Sequence, residues 1–195
     1  MKFDVADDTP LPDLSSLPGA AAVSAPEPRE LDSRYFDSDE YALGRAGYAV
    51  RRRTGGPDEG WHVKGPRDAE GARVELHWPL GAEGEIPDAV TAAVAHVSVS
   101  RLTFIARILN NRTASYLLDD AGGVVAEFVD DRVTATDVRR GTSASWREWE
   151  FELGPAAPTD ATGRSRLLSA ATEAVAAVGG RIAASDSKLG RTLGL

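Results

Sequence analysis

The chain has 195 residues, 42% hydrophobic and 27% charged, with a formal net charge of −8 and no cysteine. This composition excludes global disorder, a disulfide frame and thiolate chemistry, and it argues against a general binder of nucleic acid or of anionic membranes. No apolar run is long enough to span a bilayer, and Met1-Lys-Phe-Asp-Val lacks the layout of a signal peptide, so a cytoplasmic protein with one domain over residues 1–195 is expected.

In chain order, residues 2–5 read as a short strand. Residues 7–28 are rich in Pro, Ala and Ser and read as loop, with one helical turn at 14–17. A strand over 30–37 carries Tyr35 and Phe36, and a short helix over 39–45 is closed by Gly47. Three charged β-type runs follow: Tyr48-Ala-Val-Arg-Arg-Arg, Trp61-His-Val-Lys64 and Arg73-Val-Glu-Leu-His77. Gly55-Gly-Pro-Asp makes a hairpin turn between the first two, and residues 66–71 a looser loop before the third. Residues 87–95 read as an Ala-rich helix with Pro at its start. A strand over 101–110 is expected to turn at Asn110-Asn111 into a strand over 113–119. After a turn at 119–123, a strand over 124–130 is expected to turn at Asp130-Asp131 into one over 132–138. Residues 145–153 form the last long strand, 154–163 a loop, 164–178 an amphipathic helix and 185–193 a last short helix. Many short strands joined by hairpin turns suggest a barrel or a sandwich.

Residues two apart on a strand share a face, so Arg51 and Arg53 share one, His62 and Lys64 another, and Arg73, Glu75 and His77 a third. Two guanidiniums in a row can grip neighbouring phosphates bidentately; the same pattern also fits a solvated edge strand. Arg52 points the other way. Glu148, Glu150 and Glu152 lie on one face of the last strand, with Arg147, Trp149 and Phe151 on the other. Three like charges in a row repel unless a cation offsets them, and a hard divalent ion takes carboxylate oxygens. One arrangement packs Trp149 and Phe151 beneath the 164–178 helix; the reverse leaves the glutamates in water. Glu127 and Asp131, four apart, share a face of an unbroken strand.

Tyr35-Phe-Asp, Val50-Arg-Arg-Arg, Trp61-His-Val-Lys64, Arg73-Val-Glu75, Asn111-Arg112, residues 127–131 and Trp146-Arg-Glu-Trp-Glu-Phe-Glu152 resemble, in this order, the successive strand motifs of the CYTH family, the triphosphate tunnel metalloenzymes. The wording is closest to actinobacterial members, where this domain is often fused to a helical CHAD domain, so a CHAD partner is implied. The resemblance implies a β-dominated (α+β) fold: a closed antiparallel β-barrel with short flanking helices and a charged lumen. It implies metal-dependent hydrolysis of inorganic or nucleoside triphosphate, with Mg²⁺ or Mn²⁺ as cofactor. Phosphate would be held by Lys2, Arg51, Arg53, Lys64, Arg73, Arg112 and Lys188. Metal would be held by Glu75, Glu127, Asp131, Glu148 and Glu150. His62, His77 and His96 stay outside the metal set. The family's first strand has the form Glu-x-Glu-x-Lys; Lys2 matches its lysine, and the two glutamates fall before Met1. A truncated N-terminal strand with an incomplete metal site is therefore expected. Two other readings stand beside the triphosphatase: a non-catalytic polyphosphate or nucleotide binder, and an adenylate cyclase.

Overall fold

The computed structural model describes residues 1–67, 73–82 and 84–194. In chain order its elements are β1 (Lys2–Val5), β2 (Ala22–Val23), β3 (Glu27–Asp37), α1 (Ala42–Arg45), β4 (Ala49–Thr54), β5 (Gly60–Arg67), β6 (Arg73–Trp78), α2 (Asp88–Val94), β7 (Thr103–Leu118), β8 (Val124–Asp137), β9 (Thr142–Leu153), α3 (Ala161–Ala177), β10 (Arg181–Ile182) and α4 (Lys188–Leu193). The described chain is mostly β. Hydrogen-bonded neighbours run β10-β1-β9-β8-β7-β3-β4-β5-β6, with β2 on β7. The registered pairs are antiparallel.

The chain divides into two compact units: Met1–Arg29 with Asn110–Val133 and Ser145–Ser187, and Glu30–Leu109 with Thr134–Ala144 and Lys188–Leu195. In the first, the period-two pattern of β9 puts Trp149 and Phe151 on one face, and Phe3 pairs with Trp149 across β1. These rings pack with Leu117, Phe128, Leu14 and Leu17 against Leu167, Ala171 and Val175 of α3. The helix begins where the Asp160 carboxylate accepts from the Gly163 N–H at 2.8 Å, satisfying a donor that the first turn leaves unpaired. Of the two arrangements open for β9, the structure has the aromatic side chains beneath α3, with Glu148 and Glu150 on the opposite face.

In the second unit, Val50, Trp61 and Val63 share the core with Leu43 of α1, Val90 and Val94 of α2, and Leu102. Burying the Trp61 ring strands no donor, since its Nε1 reaches the Leu80 carbonyl at 2.9 Å. Asp37 caps α1, its carboxylate accepting from the N–H groups of Leu43 and Gly44 at 2.9 and 2.8 Å.

Two expectations are corrected. No turn interrupts β7 at Asn110-Asn111: the strand runs unbroken for 16 residues. No turn interrupts β8 at Asp130-Asp131 either: it runs unbroken for 14 residues. At the second place side-chain roles replace the turn: Asp131 is fully buried against Arg112, and Asp130 bonds Arg147 and Trp149; at the first, Asn110 is simply buried within the strand. Residues 14–17 form a turn closed by Leu17 N–H to the Leu14 carbonyl, and both leucines serve the core. The expected loop at 66–71 lies outside the described residues beyond Arg67, where β5 ends.

Candidate functional site

The first unit gathers acidic side chains. On β9, Glu148 and Glu150 are buried, while Glu152 is exposed. Antiparallel pairing sets Lys2 opposite Glu150 and Asp4 opposite Glu148. The Lys2 Nζ donates to Glu148 Oε1 at 3.1 Å and also to Glu150 Oε1. Trp146 Nε1 donates to Glu148 Oε2 at 2.6 Å. From β8, Asp131 meets Arg112 of β7 in a two-pronged pair: Nε to Oδ1 at 2.8 Å and Nη2 to Oδ2 at 2.7 Å. Arg112 also donates to Glu150 Oε2 at 2.9 Å. Burial works against the Arg112 charge, yet its bonds to Asp131 and the charge of Glu150 raise its pKa above the ordinary value.

Carboxylate oxygens of Asp131, Glu148 and Glu150 lie within 4.8 Å of one another. Hard oxygen donors at this spacing suit Mg²⁺ or Mn²⁺, so the residues present fit the divalent metal that the resemblance implies. Glu127 shares the Asp131 face of β8 but is engaged elsewhere, accepting from Arg29 Nη1 at 3.2 Å. Arg29 also donates to Glu27 at 2.8 Å and to the Tyr116 hydroxyl at 2.6 Å. The sequence reading gave Arg29 no role; Pro28 beside it made it look like loop.

The second unit gathers basic side chains. Register aligns Tyr35, Arg51, His62 and His77 across β3, β4, β5 and β6, sets Ser33 beside Arg53, and joins Lys64 to Glu75. All share one face, because antiparallel partners do. Arg52 sits opposite Trp61 on the other face. Arg73 lies on the Glu75 side of β6, opposite Arg67 past a shift in register. The guanidiniums of Arg51 and Arg53 are nearly buried. Arg53 donates to Asp58 Oδ2 at 2.7 Å and to Ser33 Oγ at 3.3 Å. Arg51 Nη2 lies 3.6 Å from the same Asp58 oxygen, and its buried Nε has no hydrogen-bond partner among the described residues.

Burial and then the charge of Arg51 lower the Arg53 pKa. Burial opposes ionisation of Asp58, but Arg53 outweighs it and holds the carboxyl below its usual range. The buried Tyr35 hydroxyl bonds Arg51; burial resists its ionisation, yet Arg51, Arg53 and Lys188 together lower its pKa. Lys188, at the start of α4, therefore lies in the field of Tyr35. Lys64 Nζ meets Glu75 Oε1 at 3.0 Å, so Glu75 is an ion-pair partner here, in a different unit from the carboxylate trio. His62 and His77 stack with centroids 4.7 Å apart. Each donates from Nε2 to a turn carbonyl, Asp58 at 2.8 Å and Glu59 at 3.0 Å. His96 meets the Tyr48 hydroxyl at 3.0 Å. Tyr35 and Asp58 carried no assigned role in the sequence. The Ser33–Tyr35 alternation was the signal for the first; a turn aspartate carries none.

No described helix is long and apolar enough to cross a membrane. Two uncharacterised proteins of Mycobacterium tuberculosis, from strains CDC 1551 / Oshkosh and ATCC 25618 / H37Rv, are each 35% identical over 208 residues, covering 99% of this chain and 39% of theirs. The chain thus spans about two-fifths of the length of these relatives. Three solved structures share the fold. A candidate adenylate cyclase from Bacillus halodurans has a TM-score of 0.53 at 18% identity, covering 84% of this chain and 82% of that one. The PH1819 protein of Pyrococcus horikoshii OT3 has 0.52 at 12%, covering 99% and 96%. A candidate adenylyl cyclase from Hippeastrum, described as revealing a dominant triphosphatase activity, has 0.53 at 14%, covering 86% and 83%. The CYTH domain model matches residues 2–159, and the chain belongs to the CYTH domain family.

Proposed function

We propose that residues 1–195 act as one CYTH domain whose sheet closes into a barrel, and that it hydrolyses inorganic or nucleoside triphosphate with the help of Mg²⁺ or Mn²⁺. The observation that carries the reading is the buried trio Asp131, Glu148 and Glu150, whose oxygens approach within 4.8 Å. Burying three carboxylates together is costly unless cations offset them; Lys2 and Arg112 do so here, and the same closely spaced oxygens would serve a divalent ion once phosphate draws those side chains away. The triphosphatase activity described for the Hippeastrum protein supports the reaction class.

In this reading Asp131, Glu148 and Glu150 hold the ion, with Glu75 and Glu127 as ion-pair partners of Lys64 and Arg29. When bound, the metal supplies charge neutralisation along the phosphate chain. Arg51, Arg53, Lys64 and Arg73 grip phosphate oxygens and spread the charge that develops on the leaving group. Lys2 and Arg112 pair with the carboxylates and turn to phosphate when the ligand arrives. Lys188 adds positive charge beside Tyr35. A helical CHAD partner belongs to the same proposal.

The test is phosphate release from tripolyphosphate and from ATP, with Mg²⁺ and with Mn²⁺, beside an assay for cyclic AMP. Release that Glu148→Gln and Glu150→Gln abolish supports the triphosphatase. Tight binding without release favours a polyphosphate or nucleotide binder, and cyclic AMP as the main product favours a cyclase.

A further inference from the structure

We propose that Asp58 is an internal anion that covers the guanidiniums of Arg51 and Arg53 and sets the affinity of this site for phosphate groups. The inference rests on the reading that these two arginines hold phosphate.

Asp58 lies in the turn between β4 and β5. Its Oδ2 is 2.7 Å from Arg53 Nη1 and 3.6 Å from Arg51 Nη2. Both arginine side chains are nearly buried, at 11% and 12% exposure, whereas Asp58 is 47% exposed. One half-exposed carboxylate thus closes the solvent side of two guanidiniums. The closure is incomplete. A single oxygen serves both cations, and among the described residues Arg51 Nε is buried without a hydrogen-bond partner. A terminal phosphate group has three acceptor oxygens and can serve both forks. The site is charged and covered, yet under-satisfied, as a site held for a larger anion would be.

The turn is built to keep this carboxylate in place without sealing it there. His62 Nε2 donates to the Asp58 carbonyl at 2.8 Å, and His77 Nε2 to the Glu59 carbonyl at 3.0 Å. The Gly55 N–H donates to Glu59 Oε2 at 3.3 Å. Gly60, at φ 145°, has no room for a Cβ, which would stand 2.3 Å from the Trp78 carbonyl oxygen. The main chain of the turn is therefore anchored, and the Asp58 carboxylate can leave by rotation of its own side chain. A phosphate chain must displace it, and a highly charged one does so more readily than a single phosphate. Asp58 would raise selectivity for polyanions at the expense of affinity.

The experiment is calorimetric titration of inorganic tripolyphosphate and of orthophosphate into the wild type, Asp58→Asn, Asp58→Ser and Arg53→Ala. A half-exposed ion pair is weak, so Asp58→Asn should bind tripolyphosphate about fivefold tighter. Orthophosphate should gain at least as much, and Arg53→Ala should bind tripolyphosphate at least tenfold more weakly. Both Asp58 variants should tighten binding, with amide exchange across residues 56–60 unchanged. If Arg53→Ala weakens binding while neither Asp58 variant tightens it, Asp58 is not a competitor and the inference fails while the phosphate reading stands. If Arg53→Ala leaves binding unchanged, or the wild type binds no tripolyphosphate, both fail together.

Discussion

Replacing Arg112 with methionine isolates the energetics of the acidic set. The variant keeps an apolar stem of similar length and removes three hydrogen bonds at 2.7–2.9 Å to Asp131 and Glu150. The side chains concerned are 14%, 0% and 9% exposed, so solvent screens the pair little. Removing one partner of a buried ion pair typically costs about 3–5 kcal/mol, most of it the burden of the charge left behind. For a chain of this size each kcal/mol moves Tm by about 2–4 °C, so Tm should fall by roughly 6–20 °C. Divalent metal should reverse part of the loss. With Arg112 absent, Asp131 and Glu150 lose one of the cations that compete with a metal, Lys2 remaining beside Glu148 and Glu150, and metal at a hundred times its Kd adds about 2.7 kcal/mol. Thermal and urea unfolding followed by tryptophan fluorescence, with and without Mg²⁺ or Mn²⁺, measure both effects. A loss below about 1 kcal/mol would refute the accounting of a buried, mutually dependent set. A normal loss with no metal response would refute the metal assignment.

Further outcomes follow from the same geometry. Arg51→Ala and Arg53→Ala should each weaken tripolyphosphate binding by about 1.5–3 kcal/mol in calorimetry. Arg52→Ala, on the Trp61 face, should change it by less than about 0.5 kcal/mol; equal losses at all three would mean diffuse attraction in place of an ordered grip. Burial and then Arg51 push the His62 pKa from 6.5 down to about 4. The unfolded chain then binds a proton first, so the wild type should lose stability as pH falls from about 6.5 towards 4. His62→Gln should lose less across that window, and identical Tm slopes would contradict the shift. Leu167→Ala, at a position 0% exposed in the core beneath α3, should cost about 2–5 kcal/mol in urea unfolding with little change in m. A cost near zero would mean that α3 does not seal that core.

Period-two alternation made the charged faces readable, because a strand leaves no freedom about which residues share a side. It put Arg51 with Arg53 and apart from Arg52, and Glu148 with Glu150 opposite Trp149; the register agrees. Turn chemistry misled at Asn110-Asn111 and Asp130-Asp131. Those dipeptides favour turns when their side chains have only local partners. At Asp130-Asp131 distant partners win: Arg112 for Asp131, and Arg147 with Trp149 for Asp130; at Asn110-Asn111 the long pairing of β7 carries the strand through. Among the five carboxylates that the resemblance implied for the metal, periodicity did not say which would congregate. Asp131 joins Glu148 and Glu150, while Glu127 goes to Arg29 and Glu75 to Lys64. That sorting depends on cross-strand neighbours, which the pattern within one strand does not carry. Asp58 was invisible for a simpler reason: an aspartate in a Gly-Pro turn reads as solvated.

The interleaving of the two units along the chain has a kinetic consequence. Each is assembled from separated stretches, and the chain passes from one to the other after Arg29, Leu109, Val133, Ala144 and Ser187. During synthesis, the first unit cannot be completed before the stretch ending at Ser187 has emerged, and the second waits for the segment that begins at Lys188. Neither unit is formed by one uninterrupted stretch, so neither is complete before most of the chain has been made. Loop closure over such separations has to precede most of the stabilising contacts, which places the protein among slow folders of high contact order. A chain halted near residue 140 would lack β9 and leave the long outer edge of β8 unpaired, an edge suited to chaperone capture or to mispairing.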